Sequence, residues 1–285
     1  MEIWQNLGFT PAERLVELAI AAEDAGIDGV SLPEHLVTPT LIDTPNPYVP
    51  TGGAGYAPDT PFVDPFVAFG AISSRTTTLR MLANVYVLPL RNLFVAAKSV
   101  SSAAVLSGGR VVLGVGIGWL REEFDAVGAS FGDRGARTDE MLTLLERLLR
   151  GESVASESAH HRFAEVRVAP VPAQRVPVLV GGASEPALAR AARADGWIGV
   201  NYTEDALVPI LDRLRVVREC AGDADRAFQI VVSRPPDFDT STARRYEHAG
   251  VTGIVNRPTI GVVGMDARVD QHAAAMRDFV DLVRG

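Results

Sequence analysis

The chain is poor in cysteine and in basic charge. Cys220 is the single cysteine in 285 residues, which excludes a disulfide framework and favours a reducing compartment. Lys and Arg number 27 against 35 Asp and Glu, and the formal net charge of −8 argues against nonspecific nucleic-acid binding. The sequence has neither an apolar run of the ~20 residues that span a membrane nor a signal-peptide pattern. We therefore expect a cytoplasmic protein that binds neither nucleic acid nor membrane.

Several common catalytic motifs are missing as well. The glycines after Leu113 are spaced G-x-G-x-G, whereas a dinucleotide-binding turn needs G-x-G-x-x-G and a P-loop needs Gly-Lys-Ser/Thr. The sequence contains no G-x-S-x-G nucleophile elbow. His160 and His161 lack a credible set of partner ligands, so no metal site is predicted.

Short β-rich runs alternate with helical patterns along the chain. Thr10, Pro11 and Glu13 predict a capped helix start, and Gly26 ends that helix. Eight strands alternating with helices imply a parallel sheet, which in a chain of this length closes most naturally into a (β/α)8 TIM barrel spanning 1–285 as one domain. A doubly wound open sheet is the alternative. The predicted strands are 1–6, Ile27–Leu32, Leu79–Leu88, Arg110–Val115, Val176–Val180, Gly196–Asn201, Phe228–Ser233 and a last run ending at Asn256.

Two insertions interrupt this alternation. Residues 36–61, after the second predicted strand, are dense in Pro, Gly and Thr, which is typical of a lid or binding loop. Tyr48 and Tyr56 within it suggest a partly hydrophobic substrate. Residues 151–175, after the fourth predicted helix, are expected to form an extended insertion or a small hairpin.

Active sites of barrels lie at the carboxyl ends of the strands, and this rule selects candidates. Glu34 and His35 follow the second strand, and His35 is the best general acid or base because its ordinary pKa lies near neutrality. Arg234 and Arg257 follow the last two strands and are weaker candidates for an anionic group. Arg134, Arg137, Asp139 and Glu140 are expected to form an ion-pair network at a helix start.

Glycines end two of the strands. Gly114, Gly116 and Gly118 remove side chains from one face of the fourth strand, either to admit a flat ligand or to pack against a neighbouring helix. Gly181 and Gly182 precede Ser184, a plausible helix cap, and free backbone N–H groups there favour a phosphate. For Gly181 and Gly182, the alternative is a tight turn followed by a capped helix.

Residues 110–140 carry a resemblance to a known family. They combine a strand, the run GVGIGW, a helix with Glu-Glu-Phe, and a D-R-G-x-R-x-D-E stretch entering a Leu-rich helix. This pattern resembles the luciferase-like monooxygenase superfamily, and within it the actinobacterial branch that uses the deazaflavin coenzyme F420. The resemblance implies His35 as catalytic residue and a non-prolyl cis peptide between Asn84 and Val85. The cofactor-binding residues that it implies are Glu34, Asn84, Val85, Gly116, Ile117, Gly118, Trp119, Gly181, Gly182, Ala183 and Ser184.

One departure leaves the substrate open. The sugar-phosphate dehydrogenases of that superfamily have a glutamate in the strand-four motif, where this chain has Trp119. The resemblance implies an F420-dependent oxidoreductase that moves a hydride to or from a small organic molecule, in a protein that is commonly a homodimer. The alternatives are an FMN-dependent monooxygenase with a partner flavin reductase, a non-catalytic flavin-binding protein, and a cofactor-free barrel lyase or isomerase using Glu34 and His35.

Overall fold

A computed structural model describes residues 1–49, 51–223 and 226–285. Eight parallel strands close into a barrel, as predicted. The barrel strands are β1 (Glu2–Asn6), β2 (Gly29–Leu32), β3 (Arg80–Val87), β4 (Val111–Gly116), β7 (Val178–Gly181), β8 (Gly196–Gly199), β9 (Gln229–Ser233) and β10 (Gly253–Asn256). Their order around the barrel is β1-β10-β9-β8-β7-β4-β3-β2. Predicted and observed bounds differ by at most two residues, as at Ile27 against Gly29.

Helices surround this barrel. They are α1 (Leu15–Asp24), α2 (Pro65–Ser73), α3 (Leu93–Leu106), α4 (Arg121–Ala126), α5 (Arg134–Leu149), α6 (Glu185–Arg193), α7 (Glu204–Cys220), α8 (Thr240–His248), α9 (Ile260–Val263) and α10 (Val269–Arg284). Single 3₁₀ turns lie at Ala12–Arg14 and Leu88–Leu90. No helix in the described part of the chain combines the length and hydropathy of a membrane span.

Both predicted insertions are present. The described residues between β2 and α2 form a long loop without helix or strand, called the lid here for residues 36–61. After α5, the strands β5 (Val154–Glu157) and β6 (Arg162–Val166) pair antiparallel as a hairpin outside the barrel. Neither insertion contributes a strand to the barrel.

The predicted helix start near Thr10 is wrong in its details. The chain first makes the 3₁₀ turn at Ala12–Arg14, and α1 begins at Leu15 without a side-chain cap. Thr10 is buried instead of capping a helix. Pro11 supplies the fixed φ of a turn, so the chain tightens there before the α-helix begins.

The expected ion-pair network at the start of α5 is present only at Arg137, and the other members have different partners. Asp139 pairs with Arg190 of α6, at 2.8 Å, and Glu140 with His160 of the hairpin, at 2.8 Å. Arg134 donates instead to the Gly118 carbonyl oxygen, at 3.0 Å. Arg134, Asp139 and Glu140 therefore tie α5 to neighbouring segments, whereas Arg137 pairs with Asp133 at the helix start, at 3.0 Å.

A bulge in β3 shapes the opening at the carboxyl ends of the barrel strands, which is called the barrel mouth here. The pairing of β3 with β4 shifts register between Ala83 and Tyr86, and the Asn84–Val85 peptide within the shift is cis, as expected. A Cβ on Gly116 would lie 2.5 Å from Val85 Cγ2, and one on Gly114 only 2.2 Å from the Ala83 carbonyl oxygen. Gly114 and Gly116 therefore do not leave empty space for a ligand, because they receive the bulge and Val85, and Gly118 packs against Val87 and Phe124 of α4.

This packing predicts the effect of adding one methyl group. Gly116→Ala should lower the free energy of unfolding by about 1–3 kcal/mol, the usual cost of overpacking, because the Cβ would overlap Val85. Gly70→Ala in α2 is the matched control, since its Cβ meets nothing within 4 Å and helical alanine is favoured by about 0.5–1 kcal/mol. Urea denaturation measures both; equal effects of the two substitutions would contradict the assigned packing.

Candidate active site

His35 lies at the carboxyl end of β2 and is held by a buried carboxylate. Its Nδ1 is 3.0 Å from Glu123 Oε2, on α4, and the side chain of Glu123 is only 1% exposed. The imidazole itself is 12% exposed. Among the residues that the structure describes, none hydrogen-bonds to Nε2 of His35. That nitrogen is therefore the one available to a substrate.

The lid is anchored to the same short helix. The backbone N–H of Leu36 donates to Glu123 Oε1 at 2.6 Å, directly after His35 in the chain. Farther along the lid, the N–H groups of Asp43 and Thr44 donate to Glu122 Oε1 at 2.8 and 2.9 Å. Two consecutive carboxylates therefore fasten two points of the lid.

The pKa of Glu122 is lowered by these contacts with the lid. Burial raises its pKa, but hydrogen bonds from the Thr44 side chain and from backbone N–H groups outweigh this and bring the pKa to about 2. The carboxylate is therefore stabilised by the lid that it holds.

Aromatic side chains surround the imidazole. Ring centroids of Tyr56 and Phe62 lie 4.8 and 5.0 Å from that of His35, and Trp119 lies at 6.1 Å, edge to face. Burial and the charges of Glu123 and Glu122 raise the pKa of Tyr56, so its phenol stays protonated. The Tyr56 hydroxyl is buried and finds no acceptor in the described structure. An oxygen atom of a bound molecule would satisfy it.

Glu34 forms a second buried ion pair beside the first. It pairs with Arg91, and its Oε2 accepts the Val87 N–H at 3.0 Å. Arg91 also donates to the Tyr86 hydroxyl at 3.1 Å. Burial lowers the pKa of Arg91 to about 10, while the nearby charge of Glu123 opposes the fall. Glu34 is thus engaged by the protein itself and supports the end of β3.

Val85, together with the side chains of Ser31 and Asn84, forms the floor of the barrel mouth. Val85 packs between Gly116 and Gly181, whose Cβ positions lie 2.5 and 3.3 Å from its methyl groups. Ser31 shares the inward face of β2 with Gly29, which abuts Trp4 inside the barrel. Ser31 Oγ and Asn84 Oδ1 are buried, and neither has a hydrogen-bond partner within the described ranges.

The end of β7 turns sharply into α6. Gly182 has φ of 103°, a conformation that favours glycine, and its carbonyl accepts Trp197 Nε1 at 2.7 Å. Ser184 occupies the N-cap position without a side-chain hydrogen bond to the helix, so its predicted role as a side-chain cap is wrong. Glu185, which would repel an anion at this helix start, is paired with Arg213.

The structure thus brings most of the predicted site residues together at the barrel mouth. β4 pairs directly with β7, which makes Gly116 and Gly181 neighbours, and His35 contacts Trp119. Sequence reasoning did not select Glu123 or Arg91 as site residues. Glu123 has a weak signal, because it follows another acid in the Glu-Glu-Phe run of the motif. Arg91 has no signal that separates it from the other arginines.

The comparisons with known proteins agree with this architecture. A family model described as luciferase-like monooxygenase matches residues 3–278, and the chain belongs to this family of oxidoreductases and monooxygenases. It is 35% identical over 240 residues to Uncharacterized protein Rv0940c of Mycobacterium tuberculosis, covering 84% of this chain and 83% of that protein. It is 30% identical over 246 residues to the F420-dependent glucose-6-phosphate dehydrogenase of Microbacterium testaceum, covering 82% of this chain and 67% of the relative.

Solved structures share the fold. One is described as an F420-dependent secondary alcohol dehydrogenase in complex with an F420-acetone adduct, with a TM-score of 0.78, 15% identity, and coverage of 100% of this chain and 99% of that chain. The monooxygenase RslO1 from Streptomyces bottropensis also has a TM-score of 0.78, with 19% identity and the same coverage. At these identities the likeness extends to the fold alone.

The attachment of the lid should weaken in acid. The pKa of Glu122 is lower when folded, at about 2, than its ordinary value of 4.5, so its contribution is present above pH about 4.5 and lost as the pH falls toward 2. Glu122→Gln lacks this charge at every pH. Pepsin cleavage within the lid should therefore be faster in the variant near pH 4.5, and the two rates should converge toward pH 2. A rate ratio independent of pH would contradict this.

Proposed function

We propose that the protein is an F420-dependent oxidoreductase that transfers a hydride to or from a small organic substrate bound beneath the lid. The observation that carries this proposal is the position of His35, whose Nδ1 is held by Glu123 while Nε2 stays available at the barrel mouth. A two-electron reduction completed by protonation needs such a proton donor beside the ring. The F420-dependent relative at 30% identity supports the choice of cofactor.

The residues at the mouth fit a flat, polar-edged ring with an anionic tail. Val85 provides an apolar shelf on which one face of the ring would rest. Ser31 Oγ and Asn84 Oδ1, buried and unpartnered among the described residues, would meet polar groups of the ring. The turn at Gly182, Ala183 and Ser184 would hold a phosphate through backbone N–H groups. When bound, coenzyme F420 supplies the hydride donor or acceptor.

The chain's own side chains do the remaining work. His35 Nε2 gives a proton to the substrate during reduction or takes one during oxidation. Tyr56, whose phenol stays protonated, donates a hydrogen bond to the substrate oxygen. Phe62 and Trp119 exclude water around the imidazole, which strengthens both polar contacts.

Cofactor binding tests the first part of the proposal. Titration of the apoprotein with coenzyme F420, followed by tryptophan fluorescence, should quench Trp119 with an affinity at least about tenfold tighter than that for FMN. Trp119→Phe should remove most of the quenching while another method, such as calorimetry, still detects binding. Tighter binding of FMN would favour the monooxygenase alternative, and binding of neither would contradict both.

The role of His35 can be separated from cofactor binding. His35→Gln should lower kcat by about 10²- to 10⁴-fold, as expected for loss of a general acid or base, in F420 reduction with a panel of small alcohols. Its Kd for F420 should stay within about threefold of the wild-type value, because the ring rests on Val85 and the glycine turns. Cofactor binding with full activity in this variant would rule out the proton-transfer role.

A further inference from the structure

One carboxylate holds both His35 and the start of the lid. Glu123 Oε2 faces His35 Nδ1 at 3.0 Å, and Oε1 accepts the Leu36 N–H at 2.6 Å, with the Val37 N–H at 3.4 Å. The side chain is 1% exposed, so water cannot replace either partner without an opening of the structure. Both oxygens of Glu123 are therefore committed as acceptors.

This arrangement determines which nitrogen of His35 carries the proton. An ionised carboxylate accepts hydrogen bonds and cannot donate them, so Nδ1 must be the N–H donor when the imidazole is neutral. Nε2 is then an unprotonated acceptor, ready to take a proton from a substrate hydroxyl. After it has taken one, the same carboxylate stabilises the imidazolium.

We propose that Glu123 is a positioning residue for His35, which sets its tautomer and links its orientation to the closed lid. The proposal rests on the function proposed above only in the direction of proton transfer. The Glu123–His35–Leu36 arrangement itself is independent of any cofactor. The orientation of the imidazole and the attachment of the first lid residue therefore share one side chain.

The chain offers a matched control on the same helix. Glu122 is adjacent to Glu123, also acidic, and also accepts lid N–H groups, at Asp43 and Thr44. It has no contact with His35 among the bonds of the described residues. A change that loosens the lid alone is therefore available for comparison.

Glu123→Gln has a specific structural consequence. His35 Nδ1 and Leu36 N–H face different oxygens of Glu123, and a carboxamide in the same position keeps only one of them as an oxygen and replaces the other with an NH₂ donor. The Leu36 N–H is fixed in the backbone, whereas the imidazole can exchange tautomers. The amide oxygen should therefore remain on Leu36, and the NH₂ group should face Nδ1 and move the proton to Nε2.

The test is ¹⁵N NMR of the histidine side chains in the apoprotein, at a pH where the imidazole is neutral. The His35 signals are assigned among the five histidines by their loss in His35→Gln. Wild type and Glu122→Gln should show the Nδ1–H tautomer, and Glu123→Gln the Nε2–H tautomer. An Nε2–H tautomer in the wild type, or an unchanged tautomer in a folded Glu123→Gln, would overturn the proposal.

Turnover adds a second readout. Glu123→Gln should lower kcat for alcohol oxidation at least about tenfold more than Glu122→Gln does, with KM within about threefold, and Glu123→Asp should recover part of the loss. Equal losses in the two Gln variants would reduce Glu123 to a lid anchor and overturn its positioning role. If the wild type neither binds F420 nor turns over, the proposed function fails while the tautomer measurement still decides this inference.

Discussion

The contact between Val85 and two glycines is the constraint on which the barrel mouth depends. β3 bulges where it reaches the carboxyl end of the barrel, and the bulge turns Val85 over the lumen. Val85 can lie this close to β4 and β7 because Gly116 and Gly181 have no side chains. Asn84 lies in the same bulge, and its buried Oδ1 has no partner within the described residues. Val85 and Asn84, the apolar and the polar residue at this part of the site, thus both come from the bulge in β3.

Two buried ion pairs lie near Val85 at the barrel mouth. Two buried carboxylates, Glu34 and Glu123, are matched by Arg91 and by the imidazole of His35. Taking such groups out of water is costly, and loss of one partner leaves an uncompensated charge. The residues that hold the two pairs come from the ends of β2 and β3 and from α4. The buried ionic contacts therefore tie α4 to the end of β2, and they add a link between the ends of β2 and β3, which already pair in the barrel.

Much of this architecture could be predicted from sequence, because alternating hydrophobic runs and glycine turns report local backbone structure. The eight strands, the lid and the hairpin are present as predicted. The partners of charged side chains could not be predicted. Asp139 and Glu140 look alike on one helix, yet one pairs with Arg190 and the other with His160, since only the packing of α6 and the hairpin selects them. The same limit hid Glu123, which lies 88 residues from His35 in the chain.

The glycines after Leu113 show a different kind of error. Their spacing correctly indicated a close approach to the backbone, but the approaching groups belong to the protein itself: β3 at Gly114 and Gly116, and Val87 with Phe124 of α4 at Gly118. Sequence alone cannot distinguish a gap filled by a neighbouring residue from one left for a ligand, because both require the absence of a Cβ. Only the folded structure shows which of these two cases applies.

The bonds that fasten the lid engage chiefly its main chain, with the Thr44 side chain as an exception. Glu122 and Glu123 accept backbone N–H groups at Leu36, Asp43 and Thr44, and every residue except proline supplies such a group. The lid can consequently change almost all of its surface chemistry while its attachment stays the same. Within this family, that separation would let substrate preference diverge in the loop without disturbing the machinery beneath it.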